Sequence, residues 1–208
     1  MPIYSDKPTK TPDLTPFEPV LNHIQNKNIQ EFTRNWLKCM PDYIFTIPAS
    51  STGKYHPAHE LGKGGLMRHM ICVAKAVIYL TEPTGGIYPT QDRNKIDCMI
   101  AAGILHDMFK CGTQKDYNEK MQISQKVFTN FNHPRIAAYE IRHSETTLIN
   151  DADKNLIADC IASHMGQWNT NKYQPQMEPL ALPESLEQRI VHAADYLASR
   201  PDVSIGKF

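Results

Sequence analysis

The sequence lacks an excess of charge of either sign, a cysteine motif and a long apolar run. Its 208 residues include 22 Lys and Arg against 22 Asp and Glu, a balance that argues against coating of long duplex nucleic acid or of an anionic membrane. The five cysteines form no C-x-x-C pair, which argues against a disulfide framework or a cysteine-based zinc site. No apolar run approaches the roughly 18 residues of a membrane helix, and the first residues lack a signal-peptide pattern. We therefore expect a cytoplasmic protein without membrane contact.

Histidine, by contrast, is abundant. The chain contains nine histidines, where about four or five would be ordinary for this length. The apolar fraction of 41% is typical of a globular protein. A chain of this length can bury a sizeable core and fits one domain with appendages. The question that the composition raises is therefore what the histidines do.

Apolar residues recur at helical spacing through most of the chain, and no convincing strand pair is present. This spacing predicts a helix over residues 66–80, a helix capped by Asp92, and a helix that begins near Pro134. Another helix should be capped by Asp151, and the last should span residues 184–199. The pattern predicts an all-α fold.

Upstream of these helices, the sequence predicts an arm, a capped helix and a long loop. Residues 1–14 contain three prolines and little apolar periodicity, so we expect an extended arm. Thr15 followed by Pro16 and Glu18 predicts a helix start with a capping box. Residues 47–65 hold four glycines and two prolines, and long loops of this kind are usually functional. We predict a single helical-bundle domain over residues 47–200, with residues 1–46 packing on it and residues 201–208 as a tail.

Several histidines and carboxylates lie in line with the apolar faces of the predicted helices. His106 and His164 each continue a run of apolar positions spaced by four and three residues, and His69, Asp107 and Asp195 also have apolar neighbours. Each of them alone is more typical of a hydrogen-bonded structural residue. Together they predict a metal centre, because burial of unpaired imidazole and carboxylate groups costs several kcal/mol and a cation satisfies many lone pairs at once. Imidazole with carboxylate suits Mn, Fe, Co, Ni or Zn better than Ca or Mg.

These residues form an ordered series, H…HD…H…H…D, that resembles the dinuclear members of the HD-domain metal-dependent phosphohydrolase superfamily (His69, His106, Asp107, His133, His164 and Asp195). The flanking motifs agree with this resemblance. Residues 64–69 resemble a GGL-x-x-H entry to the first ligand helix, and residues 101–110 resemble an apolar run that ends in HD-x-x-K. The resemblance covers about residues 47–200 and is closest to the branch of HD-type 3′→5′ exoribonucleases, which has a similar loop before GGL. It implies an HD-domain helical bundle.

The resemblance also implies a two-metal site and a reaction. One divalent transition metal would be held by His69, His106, Asp107 and Asp195, and Asp107 would bridge to a second one held by the remaining pair of histidines (His133 and His164). A hydroxide between two metals roughly 3.5–4 Å apart can attack a phosphoester in line. Lys110 follows Asp107 by one helical turn and could neutralise transition-state charge or orient Asp107. A lysine that meets the dipole at a helix C-terminus is an equally good interpretation of Lys110.

Two features depart from the family pattern. The family's S-H-H-G element reads Ser163, His164, Met165, Gly166 here, so its second histidine is absent. About 46 residues precede the loop, too few for the oligonucleotide-binding domain that accompanies the exoribonucleases. The first departure leaves one fewer imidazole for the second metal or the substrate. The second, together with the zero net charge, favours a small substrate over a processive nuclease.

Basic and aromatic residues near the predicted ligands are candidate substrate contacts (Lys54, Tyr55, His56, Arg68, Arg135, Gln167, Trp168 and Arg200). The basic residues among them could bind phosphate, although exposed Lys and Arg are more often only solvated. Trp168, or Tyr173 in the same loop, could stack a nucleobase. The alternative for Trp168 is a side chain that covers the core.

We therefore predict a metal-dependent phosphohydrolase that acts on a phosphorylated small molecule, such as a nucleotide, or on a short oligonucleotide. Within enzymes, the alternative is a 3′→5′ exonuclease on single-stranded RNA or DNA. From another class, the alternative is an HD module that binds a nucleotide without cleaving it. Modules of that class usually lose ligands, whereas all six ligand positions are present in this sequence.

Overall fold

The computed structural model describes residues 11–54, 56–83, 92–124, 126 and 128–203. Over these residues the protein contains eight α-helices, four short 3-10 segments and no strand. The helices are α1 (Glu18–Leu21), α2 (Lys27–Cys39), α3 (Gly65–Thr81), α4 (Arg93–Leu105), α5 (Gln114–Ser124), α6 (His133–Arg142), α7 (Asp151–Ala162) and α8 (Leu186–Ala198). The prediction of an all-α helical bundle is confirmed.

Helix α4 lies at the centre of the bundle. Every residue from Ile96 to Leu105 is buried, as expected of a helix that is enclosed by others on all sides. It packs against α2, α3, α7 and α8, and α6 covers α7. Gly103 permits the close approach of α3, since a Cβ atom there would lie 3.3 Å from backbone atoms of Ala74. The end of α4 therefore delivers the next residues of the chain into the middle of the fold.

Three predicted helix starts need correction. Thr15 forms no capping box; a 3-10 segment, Thr15–Phe17, begins there and precedes α1, and the Thr15 amide instead donates to Asp13. The cap of α7 is Asn150, whose side chain accepts the Asp153 amide, one residue before the predicted Asp151. The last helix begins at Leu186, two residues later than predicted, because Ser185 forms the capping box there. Asn and Ser cap as well as Asp does, so neighbouring candidates cannot be separated by residue type.

The predicted boundaries of α3 and the Asp92 cap of α4 agree closely with the structure. Residues 111–132, which had no clear pattern, contain α5 with no buried residue. Of the predicted arm, residues 1–10 lie outside the described residues, and residues 11–14 have no regular structure. The division at residues 46 and 200 stays a prediction. No helix in the described part of the chain is both long and apolar enough to cross a bilayer.

Candidate metal centre

Five structural elements place their polar side chains around one point in the bundle. His69 lies in the second turn of α3, and Asp195 lies in α8. His106 caps the end of α4 and Asp107 follows it in a turn. The remaining two ligand candidates lie at the start of α6 and directly after α7 (His133 and His164). All of these side chains are buried except Asp195, which is partly exposed.

Three of the four histidines are held in the same tautomer by backbone carbonyls. The Nδ1 atoms of His106, His133 and His164 lie 2.8, 2.7 and 2.7 Å from the carbonyl oxygens three residues earlier in the chain. A carbonyl only accepts a hydrogen bond, so each Nδ1 carries a proton, and the neutral form of each ring presents a lone pair on Nε2. These Nε2 atoms point towards one another and towards the carboxylates. This arrangement is typical of metal-ligating histidine.

Two observations show that the cluster fits a cation. The Nε2 atoms of His133 and His164 face each other at 3.2 Å, and in the neutral rings both of them are acceptors. The Nε2 atom of His106 is buried without a hydrogen-bond partner. Lone pairs in such an arrangement repel and remain unsatisfied unless a positive charge lies between them. The donor set of imidazole and carboxylate matches divalent transition metals.

Asp107 lies between two sets of ligand candidates. Its Oδ1 atom is 3.0 Å from His133 Nε2 and 3.8 Å from His164 Nε2. Its Oδ2 atom is 3.5 Å from His106 Nε2 and 3.9 Å from His69 Nε2. Asp195 Oδ1 completes the second set at 3.0 Å from His69 and 3.8 Å from His106. Candidate ligand atoms of His69, His106 and Asp195, and separately of His106, Asp107 and His164, lie within 4.8 Å of one another.

The electrostatics of the cluster depend on how charge is divided among its members. Burial and the neighbouring imidazoles His106 and His133 lower the pKa of His164 to about 3, so this ring is neutral. Burial opposes charge on His69, but Glu60 and Asp195 raise its pKa to about 10. Without a metal, His69 therefore holds a proton between two carboxylates. A metal ion bound to Nε2 of His69 would displace the proton from that atom.

Lys110 is also part of the cluster. Its Nζ atom lies 2.5 Å from Asp107 Oδ2. Burial opposes its charge, but Asp107 raises its pKa above the ordinary value, so the ammonium stays charged. Burial also opposes charge on Asp107, yet Lys110 and His106 hold the pKa of that carboxyl well below its usual range.

A cavity of about 530 Å³ opens above the cluster. Its wall includes the ligand candidates His69, Asp107, His133, His164 and Asp195, together with Lys110. Three of the predicted substrate contacts also line it: His56, Trp168 and Arg200. Tyr173 and Lys172, from the loop that follows His164, lie in the same wall. The cluster is therefore reachable from outside through a cleft with both aromatic and basic groups.

The other predicted substrate contacts that the structure describes do not line the cavity. The guanidinium of Arg68 donates to the carbonyls of His59 and Lys63 and so ties down the loop before α3. Arg135 donates to the carbonyls of Glu178 and Pro179. Two more are exposed and do not line the cavity, Lys54 and Gln167, and Tyr55 lies outside the described residues. The position of a basic residue in a loop does not indicate whether its side chain already donates hydrogen bonds to backbone carbonyls.

Trp168 forms an aromatic stack at the cavity rim rather than a cover for the core. Its side chain is 42% exposed, and its ring stacks on Tyr196 with centroids 5.6 Å apart and planes 12° apart. The Arg200 guanidinium lies 4.5 Å from the Tyr196 centroid and 6.0 Å from the Trp168 centroid. Tyr196 had no role in the sequence-based prediction, although its position next to Asp195 in α8 places it near the site.

A family model of the HD domain matches residues 66–200, which is more than half of the chain and contains all six ligand candidates. The chain belongs to the HD domain family. Neither the curated proteins nor the solved structures contain a match. HD domains are generally metal-dependent hydrolases, and the histidine–aspartate cluster of this HD domain is compatible with metal binding.

Proposed function

We propose that this HD domain is a dinuclear phosphohydrolase that cleaves a phosphoester bond of a nucleotide or a short oligonucleotide. The observation that carries the proposal is the Asp107 carboxylate, whose two oxygens face separate sets of Nε2 lone pairs. His69, His106, Asp107 and Asp195 would hold one divalent ion. Asp107 would share the second ion with the facing histidine pair (His133 and His164).

When bound, the two ions supply Lewis-acid stabilisation of the phosphoryl oxygens and activation of a water molecule. The chain's own residues orient the site. The ammonium of Lys110 donates to Asp107 Oδ2 and so orients that carboxylate. Lys110 also lines the cavity, where its ammonium can bind a phosphoryl oxygen. Two divalent ions exceed the charge of Asp107 and Asp195, so the occupied site has a net positive charge that attracts phosphate. This local field is compatible with a chain of zero net charge.

The aromatic stack at the rim supports a substrate that carries a base. Trp168 is fixed on one side by Tyr196 and Arg200, yet it keeps 42% of its surface exposed beside the cavity. Holding the indole in place before binding reduces the entropy that stacking costs. A nucleotide whose base stacks on Trp168 would direct its phosphate towards the cluster. The alternative of a 3′→5′ exonuclease requires further nucleotides to follow the same cleft.

Metal content and hydrolysis test the proposal together. We expect protein purified without chelator to hold close to two transition-metal ions per chain, as measured by inductively coupled plasma mass spectrometry. It should hydrolyse p-nitrophenyl phosphate or bis(p-nitrophenyl) phosphate, and Asp107→Asn should abolish this activity. Asp151→Asn, a change at an exposed carboxylate paired with Lys154, is the matched control and should leave both readouts unchanged. Wild-type protein that is folded but binds no metal would refute the proposal.

Substrate class is tested by comparing a nucleoside monophosphate with a base-free sugar phosphate. Trp168→Ala should raise KM for the nucleotide by about 10-fold, since stacking on an aromatic side chain contributes roughly 1–3 kcal/mol per base. It should leave KM for the sugar phosphate unchanged. Equal effects on both substrates would show that Trp168 has only a structural role. End-labelled single-stranded oligonucleotides separate the exonuclease alternative, which yields a ladder of products.

A further inference from the structure

We propose that Glu60 is a positioning residue that orients the metal ligand His69 and the cavity residue His56 through one shared carboxylate oxygen. Glu60 precedes the segment that matches the family model, and the sequence pattern did not single it out. The inference rests on the proposed metal centre, because His69 must be a ligand for its orientation to matter.

The contacts of Glu60 show how one oxygen serves two rings. Its Oε2 atom lies 2.7 Å from His56 Nδ1 and 3.0 Å from His69 Nδ1, and its side chain is fully buried. The two rings meet edge to face with centroids 4.8 Å apart. A carboxylate only accepts hydrogen bonds, so both rings direct a proton to Glu60 through Nδ1. His69 then turns its Nε2 atom towards Asp195 and Asp107, which are the other ligand candidates.

The loop before α3 is built to hold Glu60 in this position. The Ala49 amide donates to the Glu60 carbonyl at 3.0 Å, and the Leu66 amide donates to Ile47, so both ends of the loop are tied together. A Cβ atom at Gly65 would lie 1.9 Å from the Glu60 carbonyl oxygen, so only glycine fits beside it. Arg68 fixes the intervening turn through its bonds to the loop carbonyls. Gly65 and Arg68 therefore both help to place the Glu60 carboxylate.

The chemical consequence concerns metal affinity. A carboxylate that accepts the Nδ1 proton of a ligating histidine fixes the tautomer and ring orientation and makes Nε2 more basic. Loss of such a partner typically weakens metal binding by about 10–100-fold. Glu60 differs from an ordinary partner of this kind because the same oxygen also holds His56, whose ring lines the substrate cavity. Glu60 therefore orients His56 in the cavity wall and the metal ligand His69 at the same time.

The test is a titration of metal-free protein with Co²⁺, followed by calorimetry and by the visible spectrum of the bound ion. We expect Glu60→Gln to raise the Kd for Co²⁺ by about 10–100-fold and to alter the spectrum. Glu140→Gln changes another buried glutamate, in α6, and should leave Kd within about threefold of wild type. His56→Ala keeps the partner of His69 and should also retain wild-type Kd. Circular dichroism checks that each variant is folded.

The outcomes separate the two proposals. Wild-type protein that binds no Co²⁺ would refute the metal centre itself. Wild-type binding with an unchanged Kd in Glu60→Gln would overturn the role of Glu60 alone. Should Glu60→Gln fail to fold, ¹⁵N spectra of zinc-loaded wild-type protein at pH 8 still decide the question. The proton of both His56 and His69 is expected on Nδ1, and a proton found on Nε2 of either ring would overturn the proposal.

Discussion

Gly166 lies two residues after His164, at a position where one added methyl group should have a large and predictable effect. Its φ is +51°, and a Cβ atom there would lie 2.2–2.5 Å from three atoms of the His192 ring. That ring donates from Nδ1 to the His164 carbonyl oxygen at 2.8 Å. Gly166→Ala must therefore displace His192 and break its bond to the ligand turn.

The magnitude follows from two terms. A left-handed conformation costs a non-glycine residue roughly 1–2 kcal/mol, and the lost hydrogen bond costs about 1 kcal/mol. Gly166→Ala should thus reduce the free energy of unfolding by about 2–3 kcal/mol, and His192→Ala by about 1–2 kcal/mol through the lost bond. In the double variant the steric clash is absent and the bond is lost only once. The double variant should therefore be more stable than the sum of the single effects implies, by at least about 1 kcal/mol.

Urea unfolding of the four proteins measures this coupling. Gly62→Ala is the matched control, because Gly62 has φ +78° and nothing within 4 Å of the added Cβ, so it isolates the backbone term. We also expect Gly166→Ala to lose metal from the cluster, since the carbonyl that His192 holds belongs to a ligand. Effects of the two single changes that add within about 0.5 kcal/mol would refute the reasoning.

Three further predictions follow from other contacts of the site. Burial would raise the pKa of Glu60, but His69 and the bond from His56 lower it from 4.5 to about 2. The charge of Glu60 therefore stabilises the folded state above pH 4.5 by up to about 3 kcal/mol, and this contribution is lost as the pH falls from 4.5 towards 2; urea titrations should show that wild type and Glu60→Gln converge over that range. Lys110→Met should lower kcat roughly 100-fold with the metal retained, measured on the aryl phosphates, because an ammonium at the transition state is lost; an unchanged kcat would leave Lys110 without a catalytic role. Gly65→Ala should lower the free energy of unfolding by roughly 2–3 kcal/mol in thermal scans, since the added Cβ meets backbone rather than a movable side chain; wild-type stability would mean that the loop relaxes.

The local sequence pattern was sufficient to predict the helices that bury most of their surface. Helix α3 was predicted to within one residue at each end, because its apolar spacing is continuous from Leu66 to Leu80. Helix α5 was not predicted, since none of its residues is buried and it therefore has no apolar face to recognise. The errors at Thr15 and Asp151 arose because several neighbouring residues could cap equally well. Which of them caps depends on how the preceding chain enters the helix.

Five of the ligand candidates could be found in the sequence because a buried polar residue interrupts an apolar face at a position that periodicity identifies, whereas His133 was identified only by the family resemblance. Their partners could not be found in this way. Glu60, His192 and Tyr196 have no local signal, and each acts through a contact with a residue from a different element. Basic residues were the least predictable group, since Arg68 and Arg135 serve loop carbonyls while Arg200 joins an aromatic stack.

The sequence by itself determined most of the helices and the excess of histidine, and helical periodicity together with the family resemblance identified the six ligand candidates, since periodicity relates residues three and four positions apart. The tertiary structure alone decided that His69 meets Asp195 across 126 residues and that Asp107 lies between two sets of lone pairs. It also decided that three backbone carbonyls select the tautomers of His106, His133 and His164. Coordination is a matter of distances between atoms of different helices. Those distances are set by the packing of the other helices around α4, which no short stretch of sequence specifies.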